Sequence, residues 1–187
     1  GKVVPKENFM ISSEIKAAPG LIDKMTKLLT EAENPVFIYG DEVWKSDAQD
    51  KAVGLAEMLA VPVTSLSDAF RNFPTHHPLY VGRYSPRMTM QGREVDLAIS
   101  FGTKGLGRSG VVSDGPTTSL IRCGLNSSNI GRNYPFDMAV VGNVKEIISD
   151  LSDSIQGRLA EGRIKSIRDS RFSGIKAYTK ERRSKFQ

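Results

Sequence analysis

Apolar residues recur along the chain in two alternating rhythms, and that alternation predicts the fold class. Leu21, Met25, Leu28 and Ala32, with Ile22 and Leu29 beside them, repeat at helical spacing and stop near Asn34-Pro35, because a proline disfavours helix in the residue before it. Val36-Phe37-Ile38-Tyr39 is a continuous apolar run closed by Gly40, the pattern of a strand covered on both faces. Ser46 opens a second helical repeat, with Gln49 three residues on as a capping box and Ala52, Leu55, Ala56 and Leu59 as its buried stripe. Val61 to Thr64 reads as another strand, with Pro62 near its start.

Residues 66 to 94 hold no sustained period, since Pro74, Pro78 and Pro86 interrupt it; the reading is a long loop with a short helix near Met88 to Arg93. Val95 to Phe101, Ser119 to Cys123 and Met138 to Val141 are further strand-like runs, and Gly131 and Pro135 shape a turn before the last of them. Val144, Ile147, Ile148, Leu151 and Ile155 then mark one face of a helix. Strands alternating with helices imply an α/β fold, a Rossmann-like doubly wound parallel sheet of about five to six strands. Ligands of such sheets sit at the carboxyl ends of strands where the strand order reverses. The loops after Tyr39, Thr64, Phe101 and Cys123 are therefore the candidates.

Composition narrows the class. With 187 residues, 39% hydrophobic and 25% charged, the chain is sized for one soluble domain with a substantial core. No apolar run approaches the roughly 20 residues that span a bilayer, and GKVVPKENFM lacks the apolar centre of a signal peptide, so the expected place is the cytoplasm without membrane contact. Cys123, the single cysteine, excludes an internal disulfide and reads as a small buried hydrophobe. Residues 161 to 187 hold nine Lys/Arg against three acids, so the formal charge of +5 leaves −1 for the rest. A nucleic-acid role would rest on that tail alone, which contains no binding module; a solvated linker or terminal helix is the expectation.

Candidate chemistry is sparse. Gly105-Leu106-Gly107-Arg108-Ser109-Gly110 spells G-x-G-x-x-G after a strand, but Val111 to Pro116 makes a poor helix and no carboxylate follows at residues 124 to 128, so it reads as a loop. His76 and His77 have no Cys, Asp or Glu at ligand spacing, so a metal site is not expected there. Trp44 reads as a packing residue.

Three segments carry a resemblance. Phe73 to Gly82 (FPTHHPLYVG), Val95 to Gly102 (VDLAISFG) and Asn129 to Asn143 (NIGRNYPFDMAVVGN) are similar, in order, to segments of the central domain of thiamine-diphosphate-dependent enzymes of the acetolactate synthase type. The resemblance covers roughly residues 20 to 158. It implies a linker over 1 to 19 from an N-terminal domain, the central domain over 20 to 158, and a basic linker or tail over 159 to 187 toward a C-terminal domain. It further implies a 2-keto-acid decarboxylase or carboligase, homo-oligomeric, with thiamine diphosphate and magnesium held by the two outer domains. Gly40-Asp41-Glu42 and Ser113-Asp114-Gly115 both depart from the Gly-Asp-Gly motif that holds the metal. No cofactor is expected in the segment itself, which is then non-catalytic in isolation.

Some members similar to this domain hold FAD or ADP, which is the alternative reading, beside that of a free-standing Rossmann-like subunit. The positions that would serve a nucleotide are Gly40, Gly102, Thr103, Lys104 and Asn126. Two departures stand against it. Gly40-Asp41-Glu42-Val43-Trp44 replaces a glycine run, and Cys123-Gly124-Leu125-Asn126 replaces an Ile-Asp-Ile-Asp strand end.

Overall fold

The computed structural model describes residues 15–66, 72–84, 89–90, 93–104, 118–127 and 136–184. Helix α1, Pro19–Glu31, starts with proline in its first turn, where the absent N–H is no loss, and buries Ile22, Met25 and Leu29. Strand β1, Pro35–Tyr39, follows with all five residues buried. A five-residue helix α2, Asp41–Lys45, leads into α3, Gln49–Leu59, and then into β2, Val63–Ser65.

Ser46 does not build the expected capping box. It closes α2 instead, its hydroxyl donating to the Glu42 carbonyl at 2.6 Å, and Asp47 at φ +53° breaks the chain before Gln49. The hydroxyl back-bonds to the carbonyl four residues earlier and is lost to the next helix. Ala48 stands as the N-cap of α3 with no side-chain hydrogen bond.

Strand β3, Tyr80–Arg83, lies within the stretch read as irregular. Beyond it, Thr89–Met90 (β4) pairs antiparallel with Arg93–Glu94 (β5), so the short helix expected near Met88 to Arg93 is a two-stranded ribbon in its described residues. Strand β6, Leu97–Phe101, β7, Ser119–Gly124, and β8, Met138–Val141, complete the large sheet. Helix α4, Val144–Arg158, buries all five residues of the expected face and is capped by Asn143, whose side chain accepts from the Lys145 N–H at 2.8 Å. Helix α5, Glu161–Ser184, occupies most of the basic tail. Among the described residues no helix is long and apolar enough to cross a membrane.

The large sheet has the order β3-β2-β1-β6-β7-β8, every neighbouring pair parallel. Its six strands taken in chain order run 3-2-1-4-5-6, the doubly wound arrangement, with the reversal between β1 and β6. One face carries the main core: Phe37, Tyr39, Ile99, Phe101, Ile121 and Val140 meet α1, α3, α4 and α5. The opposite face buries Val36, Ile38, Val81, Ala98 and Leu120 under Leu66, Tyr84 and Phe136, all from connecting segments. Among the described residues no helix contributes to that second cluster.

Two aspartates from the resembling segments register the amino ends of strands. Asp96 accepts from the N–H groups of Glu33 and Asn34 at 2.6 and 3.0 Å, and Asp137 accepts from Leu120 N–H at 2.6 Å. Each ties the start of one strand to its neighbour through charge-assisted bonds.

Candidate functional site

At the reversal, β1 ends in Tyr39-Gly40 and β6 in Phe101-Gly102. The Gly40 N–H donates to the Phe101 carbonyl at 2.8 Å, and the chain then turns directly into α2. A Cβ on Gly40 would lie 2.5 Å from the Gly102 oxygen and 2.6 Å from Thr103 Cα. Gly102 sits at φ +65°, and a Cβ there would overlap Cβ of Glu42. Both positions demand glycine because the first turn of α2 lies against the end of β6.

Glu42 carries the contact further. Its N–H donates to the Gly102 carbonyl at 3.2 Å, and its carboxylate crosses to β7, accepting the Leu125 N–H at 2.9 Å. A Cβ on Gly124 would stand 3.0 Å from the same carboxylate oxygen. Glu42 therefore spans the ends of three adjacent strands, β1, β6 and β7, and Gly102 and Gly124 make room for it.

Beneath this bridge lies a buried polar group on the second face of the sheet. The Arg122 guanidinium, 4% exposed, donates to the Thr103 carbonyl at 2.9 Å and stands 5.7 Å from the centre of the Phe136 ring. Burial lowers its pKa, while the nearby Glu42 carboxylate pulls it back up. The Ser100 and Thr103 hydroxyls are 2.7 Å apart. Lys104 reaches Asp41 at 3.1 Å with most of its side chain in water, a pair of little energetic weight.

The sequence model of one family, the thiamine pyrophosphate enzyme central domain, matches residues 22–151. The chain belongs to that family. Among curated relatives, the acetolactate synthase large subunit of Corynebacterium glutamicum is 27% identical over 146 residues, which are 75% of this chain and 23% of the relative. The acetolactate synthase of Mycobacterium avium is 28% identical over 149 residues, 76% of this chain and 24% of that protein. Benzoylformate decarboxylase from Polynucleobacter necessarius shares the fold at a TM-score of 0.66 and 21% identity, over 82% of this chain and 30% of the decarboxylase. This chain thus spans about a quarter of the length of the curated relatives it matches.

In this central domain the structure gathers Gly40, Gly102, Thr103 and Lys104 at the reversal, with Asn126 exposed just beyond the end of β7. The close backbone approach that the glycines permit is taken up by α2. A pyrophosphate there would meet the Asp41 and Glu42 carboxylates. The G-x-G-x-x-G stretch, Gly105 to Gly110, lies outside the described residues, as do Gly131 and Pro135.

His77 is the corner that the resembling loop implies. Its Nδ1 accepts from the Leu79 N–H at 3.2 Å, which leaves Nε2 to donate to Glu57 at 3.1 Å, and Phe73 packs edge-on at 5.0 Å. Cys123 is fully buried beside Met25, and burial pushes its thiol pKa far up. Trp44 is a correction: it is 51% exposed, because the short α2 buries only Val43.

Sequence reasoning missed Glu42 and Arg122. The available signal was the coincidence of glycines at three strand ends, 40, 102 and 124, with a glutamate two residues after the first.

Proposed function

We propose that this central domain is the structural middle of a thiamine-diphosphate-dependent 2-keto-acid decarboxylase or carboligase of the acetolactate synthase type. It spaces an N-terminal and a C-terminal domain of the same polypeptide, which hold thiamine diphosphate and magnesium between subunits of a cytoplasmic homo-oligomer. The segments over 1 to 19 and 159 to 187 lead to those domains, the second by way of α5. The observation that supports this reading is the placement of α2 and the Glu42 carboxylate at the reversal, where such sheets bind ligands.

The test is a thermal shift of the purified chain with FAD, ADP, and thiamine diphosphate plus magnesium. A ligand at about 100 times its dissociation constant adds roughly 2.7 kcal/mol, several degrees for a domain of this size. The expected result is no shift with any of them. A shift with FAD or ADP would replace the spacer with a nucleotide-binding module built on Gly40, Gly102, Thr103, Lys104 and Asn126.

A further inference from the structure

The carboxyl ends of α1 and α3 share an unusual arrangement. The last turn of a helix leaves carbonyls without intrahelical partners and concentrates negative potential there, and a basic residue in that turn commonly answers both. Neither α1 nor α3 has one. The missing cation comes from α5. Arg171 donates through Nη2 to the carbonyls of Leu29 and Ala32 at 2.9 and 2.7 Å, and through Nη1 to the carbonyl of Leu59 at 3.3 Å. One guanidinium thus closes the ends of two helices at once, a task suited to a planar fork of donors and poorly served by an ammonium.

The surroundings are built for that placement. Ile167 and Ile175, one turn to either side of Arg171, are buried at 8% and 3% exposure, and Ile164 and Phe172 pack against the same cluster. Burial pushes the Arg171 pKa down to about 10, with the Asp96 carboxylate opposing, so the group is charged at neutral pH. Yet Arg171 stands 20 positions beyond residue 151, where the family match ends.

We propose that α5 is a strap integral to the domain, and that Arg171 is the positioning residue that pins the carboxyl ends of α1 and α3 to each other and to the strap. The folded unit then extends at least to Ile175, and the chain leaves it in a set direction. The inference stands on these contacts alone and holds whether or not the domain serves as a spacer.

Hydrogen exchange of the whole chain, wild type against Arg171→Met and Arg171→Lys, tests it. In the wild type, amides of residues 164 to 175 should exchange as slowly as those at the ends of α1 and α3. Arg171→Met should speed exchange about tenfold or more in α5 and in residues 28 to 32 and 57 to 61, while amides of β1 and β6 keep their rates. Arg171→Lys retains the charge without the fork and should recover only a minor part of the protection; it also carries the comparison if the methionine variant does not fold. Random-coil exchange of α5 in the wild type would overturn the strap. Unchanged exchange in both variants, or a uniform increase over the entire sheet, would overturn the pin.

Discussion

The Glu42 carboxylate accepts the Leu125 N–H at 2.9 Å after passing over Gly102, and so links the end of β1 to the end of β7 across the strand between them. The space over Gly102 is the tightest point of that link. Gly102→Ala adds a Cβ that overlaps Glu42 at a backbone angle of φ +65° and should cost about 2–4 kcal/mol from left-handed strain and overpacking together. Glu42→Ala should cost about 1 kcal/mol through loss of the charge-assisted bond across the strand ends, with Glu42→Gln closer to wild type because an amide oxygen still accepts. Urea denaturation of the three variants gives the ranking, and a Gly102→Ala protein as stable as wild type would contradict the bridge.

Tyr39 makes stability sensitive to alkali. It is fully buried, its hydroxyl donates to the Ala52 carbonyl at 2.9 Å, and burial raises its pKa well above the ordinary 10.0. The folded state therefore keeps a proton that the unfolded state releases, so stability is full below pH 10 and falls as pH rises above it. Tyr39→Phe should flatten that fall and cost about 1 kcal/mol at neutral pH for the lost hydrogen bond. Denaturation midpoints measured from pH 7 to 11 separate the two effects.

Cys123 should be silent to thiol reagents in the native protein. Its side chain is buried and its pKa is raised, so neither access nor thiolate is present. Reaction with a disulfide reagent should track unfolding, with one thiol appearing per chain. Rapid labelling under native conditions would mean that β7 opens locally.

Asp96 holds the turn between α1 and β1 to the start of β6. Asp96→Ala leaves two N–H groups, those of Glu33 and Asn34, without their acceptor, and should lower stability by about 2 kcal/mol, whereas Asp96→Asn keeps one acceptor oxygen and should lose less. Calorimetric melting of the pair checks the order.

Much of the sheet and its main helices are legible in the sequence because their apolar residues crowd one face or one run. Val144, Ile147, Ile148, Leu151 and Ile155 form such a stripe, and all are buried on α4. What escapes is short or mixed. Helix α2 has five residues, too few to display a period, and β3 is a four-residue edge strand whose exposed side tolerates polar residues. The buried face of α5 includes an arginine, so the segment reads as a charge run although Ile167 and Ile175 anchor it. At the site, Gly40, Gly102 and Lys104 are readable as strand-end residues. The role of Glu42 is not, because its reach to Leu125 depends on which strands lie side by side, a property of sheet order that no local pattern contains.

That order also bears on how the domain comes into being. Pro35 of β1 sits opposite Leu97 of β6, and Phe37 opposite Val63 of β2, so the central strand has no neighbour close to it in the chain. Each pairing closes a long loop before any ladder bond rewards it, which places such topologies among the slower folders. A polypeptide emerging from synthesis would carry β1 without a strand partner until residue 65 had been made, and with one edge open until residue 101. The nascent segment from Pro35 onward is thus an apolar stretch on which a chaperone would act before its sheet is complete.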